Sequence, residues 1–205
     1  MAKAVGPLMS MDASGTVAGA ITFTKWKGRN VVRQRVIPTN PQSTMQRTYR
    51  QMLAGLVKLW KANTTALAAA FASIATQRAI SAFNAFTGYN QTRLSQGLYP
   101  ADSDAPTEEV PSALPTALTL TAMESYVEVT WTDSIDANAW CNAIYRKLGA
   151  APTGLISELE AIIPLGDQKW VDGPLSSGTW HYVIAAIHQE GGRTAVSLEE
   201  TVEIA

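Results

Sequence analysis

A proline-rich, acidic segment in the middle of the chain separates two halves of opposite charge. Tyr99 to Pro115 holds four prolines and four acids. Proline fixes φ, lacks a backbone donor and restricts the residue before it, so neither a helix nor a central strand can run through this stretch. Residues 1–100 carry twelve Lys/Arg and a single acid, Asp12, a net charge of +11. Residues 101–205 carry four bases and sixteen acids, a net charge of −12, so the overall −1 conceals two different surfaces. The reading that follows is a basic domain over 1–98, an acidic linker over 99–114 and a second domain over 115–205.

The N-terminal half has two textures. Gly15 to Pro38 reads as a hairpin: Thr16 to Thr24 alternates with Ile21 and Phe23 on one face, Lys27-Gly28-Arg29-Asn30 is the expected turn, and Val31 to Ile37 returns. Asn40-Pro41-Gln42-Ser43 then opens a helix with Ser43 as its N-cap, and Met45, Tyr49, Met52, Leu56 and Leu59 recur at helical spacing up to Lys61. Leu67, Phe71 and Ile74 mark a short second helix, and Ile80, Phe83, Phe86, Asn90 and Leu94 a third ending near Gly97. After the linker the pattern is β throughout, with strands expected at 118–121, 126–131, 140–147, 170–171, 179–187 and 196–204. The whole is an α+β chain: a β-hairpin with about three helices, then an all-β, immunoglobulin-like sandwich.

Composition narrows the function classes. The apolar content of 46% is that of a globular chain, and the single Cys141 rules out an internal disulfide. No apolar run follows Lys3, and the longest uncharged stretch, Ala62 to Gln77, falls short of the roughly 20 apolar residues of a membrane span. A soluble protein assembled in a cytoplasm, without a membrane partner, is expected. No HExxH, CxxC, P-loop or GxSxG pattern is present, so no enzyme, cofactor or metal site is expected. His181 and His188 fall on opposite faces of one strand, and a Cys141–His181 pair has no local signature. Glu158, Glu160 and Asp172 read as the solvated loops and outer face of an acidic sandwich. Asp102, Asp104, Glu108 and Glu109 read as an extended linker without fixed geometry.

The basic hairpin is the candidate binding site. Its residues are Trp26, Lys27, Arg29, Arg33 and Arg35, joined by Arg47 and Arg50 on the first helix. Arg33 and Arg35 share a strand face, as do Lys25 and Lys27, and Arg47, Arg50 and Lys58 form one helical stripe. Planar guanidinium groups capture carboxylate or phosphate through paired hydrogen bonds. The same residues are compatible with protein docking, with phosphate contacts, or with a solvated edge strand that resists aggregation. Trp26 is either a contact anchor or a core plug.

Two resemblances add to this. Pro115, Leu118, Val127-Glu-Val-Thr-Trp131-Thr-Asp133, Gly178-Thr-Trp180-His-Tyr182-Val-Ile-Ala-Ala186 and Gly191-Gly-Arg-Thr-Ala-Val-Ser197 resemble a fibronectin type III module, which implies a spacer or binding surface. Ser14-Gly-Thr-Val17, Thr22-Phe-Thr-Lys-Trp26-Lys-Gly28-Arg29-Asn-Val-Val-Arg33 and Pro38-Thr-Asn40-Pro41-Gln-Ser-Thr44, followed by Gln46 and Arg50, resemble small virion structural proteins of tailed bacteriophages. That resemblance implies a structural part of a virion assembled in the host cytoplasm, present in multiple copies or as a homo-oligomer, with capsid, portal or tail proteins as partners. A capsid decoration or cement protein is the first expectation, and a collar or tail component the alternative. A nucleic-acid-binding protein using the basic half is the other class, which no helix-turn-helix, zinc-finger or aromatic RNP pattern favours.

Overall fold

The computed structural model describes residues 3–4, 13–17, 20–26, 29–37 and 44–205. The chain divides into two compact units, Met1–Gln42 and Ser43–Ala205.

The first unit is an antiparallel sheet of four strands in sequence order, β1 (Lys3–Ala4), β2 (Ala13–Val17), β3 (Ile21–Trp26) and β4 (Arg29–Gln34). Alternation in β3 and the β-branched pair Val31-Val32 in β4 suit a pleated strand. The register sets Thr22 opposite Arg33, Phe23 opposite Val32 and Trp26 opposite Arg29. The Arg35 N–H extends the pairing by donating to the Ala20 carbonyl at 2.7 Å. Arg29 and Asn30, expected in the turn, are strand residues; Lys27, Gly28 and the expected cap Ser43 lie outside the described residues.

The second unit begins with α1 (Thr44–Ala62), α2 (Thr64–Ala70), α3 (Ala72–Arg78) and α4 (Ala82–Ser95). The expected second helix is thus two short ones, divided at Phe71, whose backbone leaves helical geometry at φ −96° and ψ 8°. Ser81 caps α4 by accepting from the Asn84 N–H at 3.2 Å. The strands β5 (Thr116–Met123), β6 (Tyr126–Thr132), β7 (Ala139–Leu148), β8 (Leu159–Pro164), β9 (Lys169–Asp172), β10 (Gly178–His188) and β11 (Glu200–Ile204) follow. They form two sheets, β5-β6-β9 and β11-β10-β7-β8.

The larger sheet is the middle layer of three. On one face Ile144, Ile163, Tyr182 and Ile184 pack against Val127, Val129 and Trp131 of the smaller sheet. On the other face Cys141, Ala143, Tyr145, Ile162, Val183 and Ala185 pack against Leu56, Leu59, Phe71 and Phe86 of the helices. α1 approaches β8 so closely that a Cβ on Gly55 would lie 2.7 Å from the Ile162 carbonyl oxygen. Phe86 meets Trp140 edge to face, with ring centroids 6.3 Å apart.

This shared core corrects the expected boundaries. The division falls at 42/43, and the helices of the expected domain 1–98 have no core apart from the sandwich's middle sheet. The segment expected as a free linker over 99–114 is a strap fixed at both ends and in the middle. Asn90, fully buried on α4, clamps Ala101 by donating to its carbonyl at 3.1 Å and accepting from its N–H at 2.8 Å. The N–H groups of Asp102 and Glu108 each donate to the β10–β11 loop at 2.9 Å, to the carbonyls of Gln189 and Glu190. Ser112 donates to Asp136 from its N–H at 2.5 Å and its hydroxyl at 2.6 Å. As the prolines predict, no helix or strand runs through the segment, but several of its backbone groups find protein partners.

Candidate docking interface

The residues singled out for binding are distributed over both compact units. Arg29 and Arg33 occupy odd positions of β4, and Arg35 continues that series one step beyond the strand. Side chains alternate across a strand, so these positions belong to one face of the hairpin. Arg33 and Arg35 are exposed, and Trp26 holds the register position across from Arg29. β4 is also the outer strand of its sheet. On the even positions, Val32 is 59% exposed. Among the described residues the hairpin thus exposes the guanidinium groups of Arg33 and Arg35 and the aliphatic side chain of Val32. Lys27 lies outside the described residues.

Arg47 and Arg50 belong to α1, in the second compact unit. Arg50 is exposed. Arg47 is half-buried, and its charge acts on the carboxyl of Glu160.

That carboxyl belongs to a buried ion cluster which replaces the solvated acidic face expected for Glu160 and Asp172. Arg146 on β7 bonds Glu160 on β8 at 2.7 Å and Asp172 on β9 in a closer contact. The Tyr182 hydroxyl donates to Asp172 at 2.8 Å, and the guanidinium carbon of Arg146 lies 4.8 Å from the Trp180 ring centroid. Burial pushes the Glu160 carboxyl above its ordinary value, against the pull of Arg146. Burial alone would lower Arg146, but the charges of Asp172 and Glu160 hold it above its ordinary value. The cluster ties four strands from both sheets together, and its geometry is that of a closed structural clamp. Glu158 likewise turns inward, accepting from the N–H and hydroxyl of Thr153 at 2.6 and 3.0 Å and pairing with Lys147 at 2.9 Å.

The strap acids also have fixed positions. Glu108 pairs with Arg93 of α4 at 2.6 Å, and Glu190 accepts from the Thr107 N–H at 3.1 Å. His188 is buried; its Nδ1 accepts from the Glu190 N–H at 3.1 Å. Burial and the neighbouring Glu190 charge raise the Asp102 carboxyl above its ordinary value. Cys141 pairs in register with Ile187, six positions along β10 from His181, so these two side chains do not form a reacting pair. Burial pushes the Cys141 thiol well up, away from thiolate chemistry. Among the described residues no group of three or more His, Cys, Asp or Glu is placed to hold a metal ion, and no helix is long and apolar enough to cross a membrane.

Three strands, β5-β6-β9, face four, β11-β10-β7-β8, with the strand after the opening hairpin crossing to the other sheet. The C-terminal fold is a fibronectin type III-like sandwich. Solved structures that resemble it include the fibronectin type III domain of human contactin 1, at 12% identity and a TM-score of 0.40, covering 46% of this chain and 78% of that domain. A Fn3-like protein from Clostridium thermocellum matches at 20% identity and a TM-score of 0.35, covering 50% of this chain and 96% of that one. A spore cortex lytic enzyme of Clostridium perfringens, SleM, matches at 15% identity and a TM-score of 0.37 over 45% of this chain. The match spans only 28% of the enzyme's length. No protein-family model and no curated protein matches the chain.

Proposed function

We propose that this chain is a non-enzymatic structural protein of a tailed-bacteriophage particle, a capsid decoration or cement protein that docks through its basic N-terminal sheet and displays its fibronectin type III-like sandwich. The observation that carries the reading is the N-terminal unit itself. It is a compact unit of its own, and among the described residues it exposes Arg33, Arg35 and Val32. Exposed charges add little to fold stability but direct docking. The "Trp26-x-Gly28 … Val32-Arg33" hairpin followed by "Asn40-Pro41-Gln-Ser-Thr44-x-Gln46-x-x-x-Arg50" supplies the virion resemblance. Many copies on a symmetric particle make modest affinity per copy sufficient.

The test is the position and stoichiometry of the chain in purified particles, read by immunogold labelling and quantitative mass spectrometry. A decoration protein is expected on the capsid shell in numbers that follow the capsid lattice. A small fixed number of copies at a single position on the particle would instead make it a collar or tail component. Absence from the particle would overturn the virion reading.

A further inference from the structure

We infer that the face formed by α1, the end of α4 and the turn between β7 and β8 binds a small ligand that joins a carboxylate to an apolar tail, with Arg193 taking the carboxylate. The site lies wholly within Ser43–Ala205 and does not depend on the docking reading. Residues 101–205 carry four bases against sixteen acids. Arg146, Lys147 and Lys169 each pair with a carboxylate. Arg193 is half-buried in this acid-rich half, yet it pairs with no carboxylate among the described residues. A guanidinium partly withdrawn from water without a counter-charge is destabilising, and a carboxylate that reaches it would offset that penalty.

The fold holds Arg193 in a fixed seat. Its Nη1 donates to the Gly154 carbonyl at 3.1 Å, and its guanidinium carbon lies 5.5 and 5.6 Å from the ring centroids of Tyr99 and Tyr145. The Tyr145 hydroxyl donates to that of Tyr99 at 2.7 Å, which in turn donates to the Gly154 carbonyl at 3.1 Å. Gly154 has φ 80°, a backbone that disfavours any side chain, and a Cβ there would lie 2.2 Å from Nη1, so glycine keeps the seat clear. Glu158, the acid closest to Gly154 in sequence, is taken up by Lys147 and by the N–H groups of Thr153 and Gly154. A guanidinium carries five N–H donors, so Nη1 can hold Gly154 while others in the planar fork take a carboxylate.

Two hollows meet at the 3₁₀ turn Ile156–Glu158 and share Ile156 and Ser157. One, of about 440 Å³, holds Arg193, Tyr99 and Gly154. The other, of about 360 Å³, is walled by Tyr49 and Met52 of α1, Leu94 of α4 and Ile156. Both volumes fall within the range of small-ligand sites, roughly 300–1,000 Å³. Among the described residues no acid and no second base lines either hollow, so together they offer one cationic end and one apolar end. The last carbonyls of α4, at Thr92, Arg93 and Leu94, already accept from the N–H groups of Gln96, Gly97 and Leu98 at 2.9 to 3.2 Å, and so do not oppose an anion. An uncharged apolar molecule would leave Arg193 unpaired, and a polyanion would find no further cation here. A single carboxylate on an aliphatic or aromatic tail satisfies both ends.

The experiment titrates the full, isotope-labelled chain with octanoate as the probe, octanol as its uncharged match and acetate as the head group alone, read by amide chemical shifts. The wild type is expected to bind octanoate with a Kd below about 1 mM, shifting the amides of Tyr49, Leu94, Ile156 and Arg193. Octanol and acetate are each expected to bind at least about tenfold more weakly. R193Q should lose at least about tenfold in octanoate affinity while its octanol affinity stays within about twofold, and R193K should retain more than R193Q. S157F, at an exposed position shared by both hollows, should weaken octanoate and octanol alike. Melting curves confirm that each variant folds; should R193Q not fold, the ligand series on the wild type and S157F carry the test. No shift at about 5 mM octanoate, shifts confined to residues away from the two hollows, or octanol binding as tightly as octanoate would overturn the inference. Equal octanoate binding by the wild type and folded R193Q would do the same.

Discussion

In the middle sheet of the body, Ile144 and Ile184 are fully buried against the smaller sheet, while Ala143 and Ala185 are as deeply buried against the helices. In the N-terminal hairpin, Val32 is 59% exposed and Ile21 45%. Both sheets are built from β-branched and aromatic residues, yet one is covered on two faces and the other is a single layer among the described residues. The covered sheet needs nothing further to be stable. The open one has apolar and cationic surface to spare, and surface of that kind marks an interaction site when it gathers on one element. In the proposed reading the body is a scaffold and the hairpin is its means of attachment.

The largest effect is expected where the layers meet. Phe86→Ala removes a fully buried ring that touches Phe71, Trp60 and Trp140, and should destabilise 43–205 by about 3–5 kcal/mol. Chemical denaturation followed by helix ellipticity and by tryptophan fluorescence should show one shared transition at a lower midpoint. Two separated transitions would mean that helices and sandwich are independent after all. Gly55→Ala probes the same seam from the crowded side. Its new Cβ would press on Ile162, so a loss of about 1–3 kcal/mol is expected in the same unfolding assay. An unchanged midpoint would show that α1 can move away from β8 freely.

A smaller effect concerns the strap. Donors from Ser112 hold the Asp136 carboxyl at about 2, below its ordinary 3.8. A lowered carboxyl pKa contributes stability that is present above the ordinary value and is lost as pH falls toward the folded one. Acid titration should therefore weaken the wild type between about pH 4 and pH 2, and D136N should lose less across that window. Equal losses would remove Asp136 as the strap's anchor. The smallest effect is expected with duplex DNA. A chain neutralising about six phosphates would show log K falling with log salt at a slope of about −5. The full chain should show no sub-micromolar binding at physiological salt, and a steep slope with tight binding would move the hairpin to a nucleic-acid role.

The sequence carried much of the body's architecture and less of its arrangement. The hairpin strands, α1, α4 and most sandwich strands were legible from period and turn chemistry. Strand β8 was not among the expected strands, because Leu159-Glu-Ala-Ile-Ile-Pro164 is buried on both faces and has no alternation. The same signal was present and unread in β7 and β10: Ala139 to Arg146 and Tyr182 to His188 are continuously buried. A strand without alternation marks a sheet with two covered faces, which would have placed the helices on the sandwich. The Arg146–Asp172 pair spans 26 residues, and Arg47 reaches Glu160 from another layer, so neither leaves a local pattern. Proline in 99–115 signals the end of a helix but does not distinguish a free linker from a strap whose backbone is bonded along its length.

The account's central claim is that the hairpin's arginines attach an otherwise self-sufficient body. Particle incorporation of R29A/R33A/R35A, measured against the wild type in the same preparation with the melting curve of the purified chain as control, tests this most directly. The account predicts incorporation reduced at least about tenfold, equivalent to about 1.4 kcal/mol, with an unchanged melt. Normal incorporation of the triple variant would contradict it and leave aliphatic surface such as Val32 as the contact.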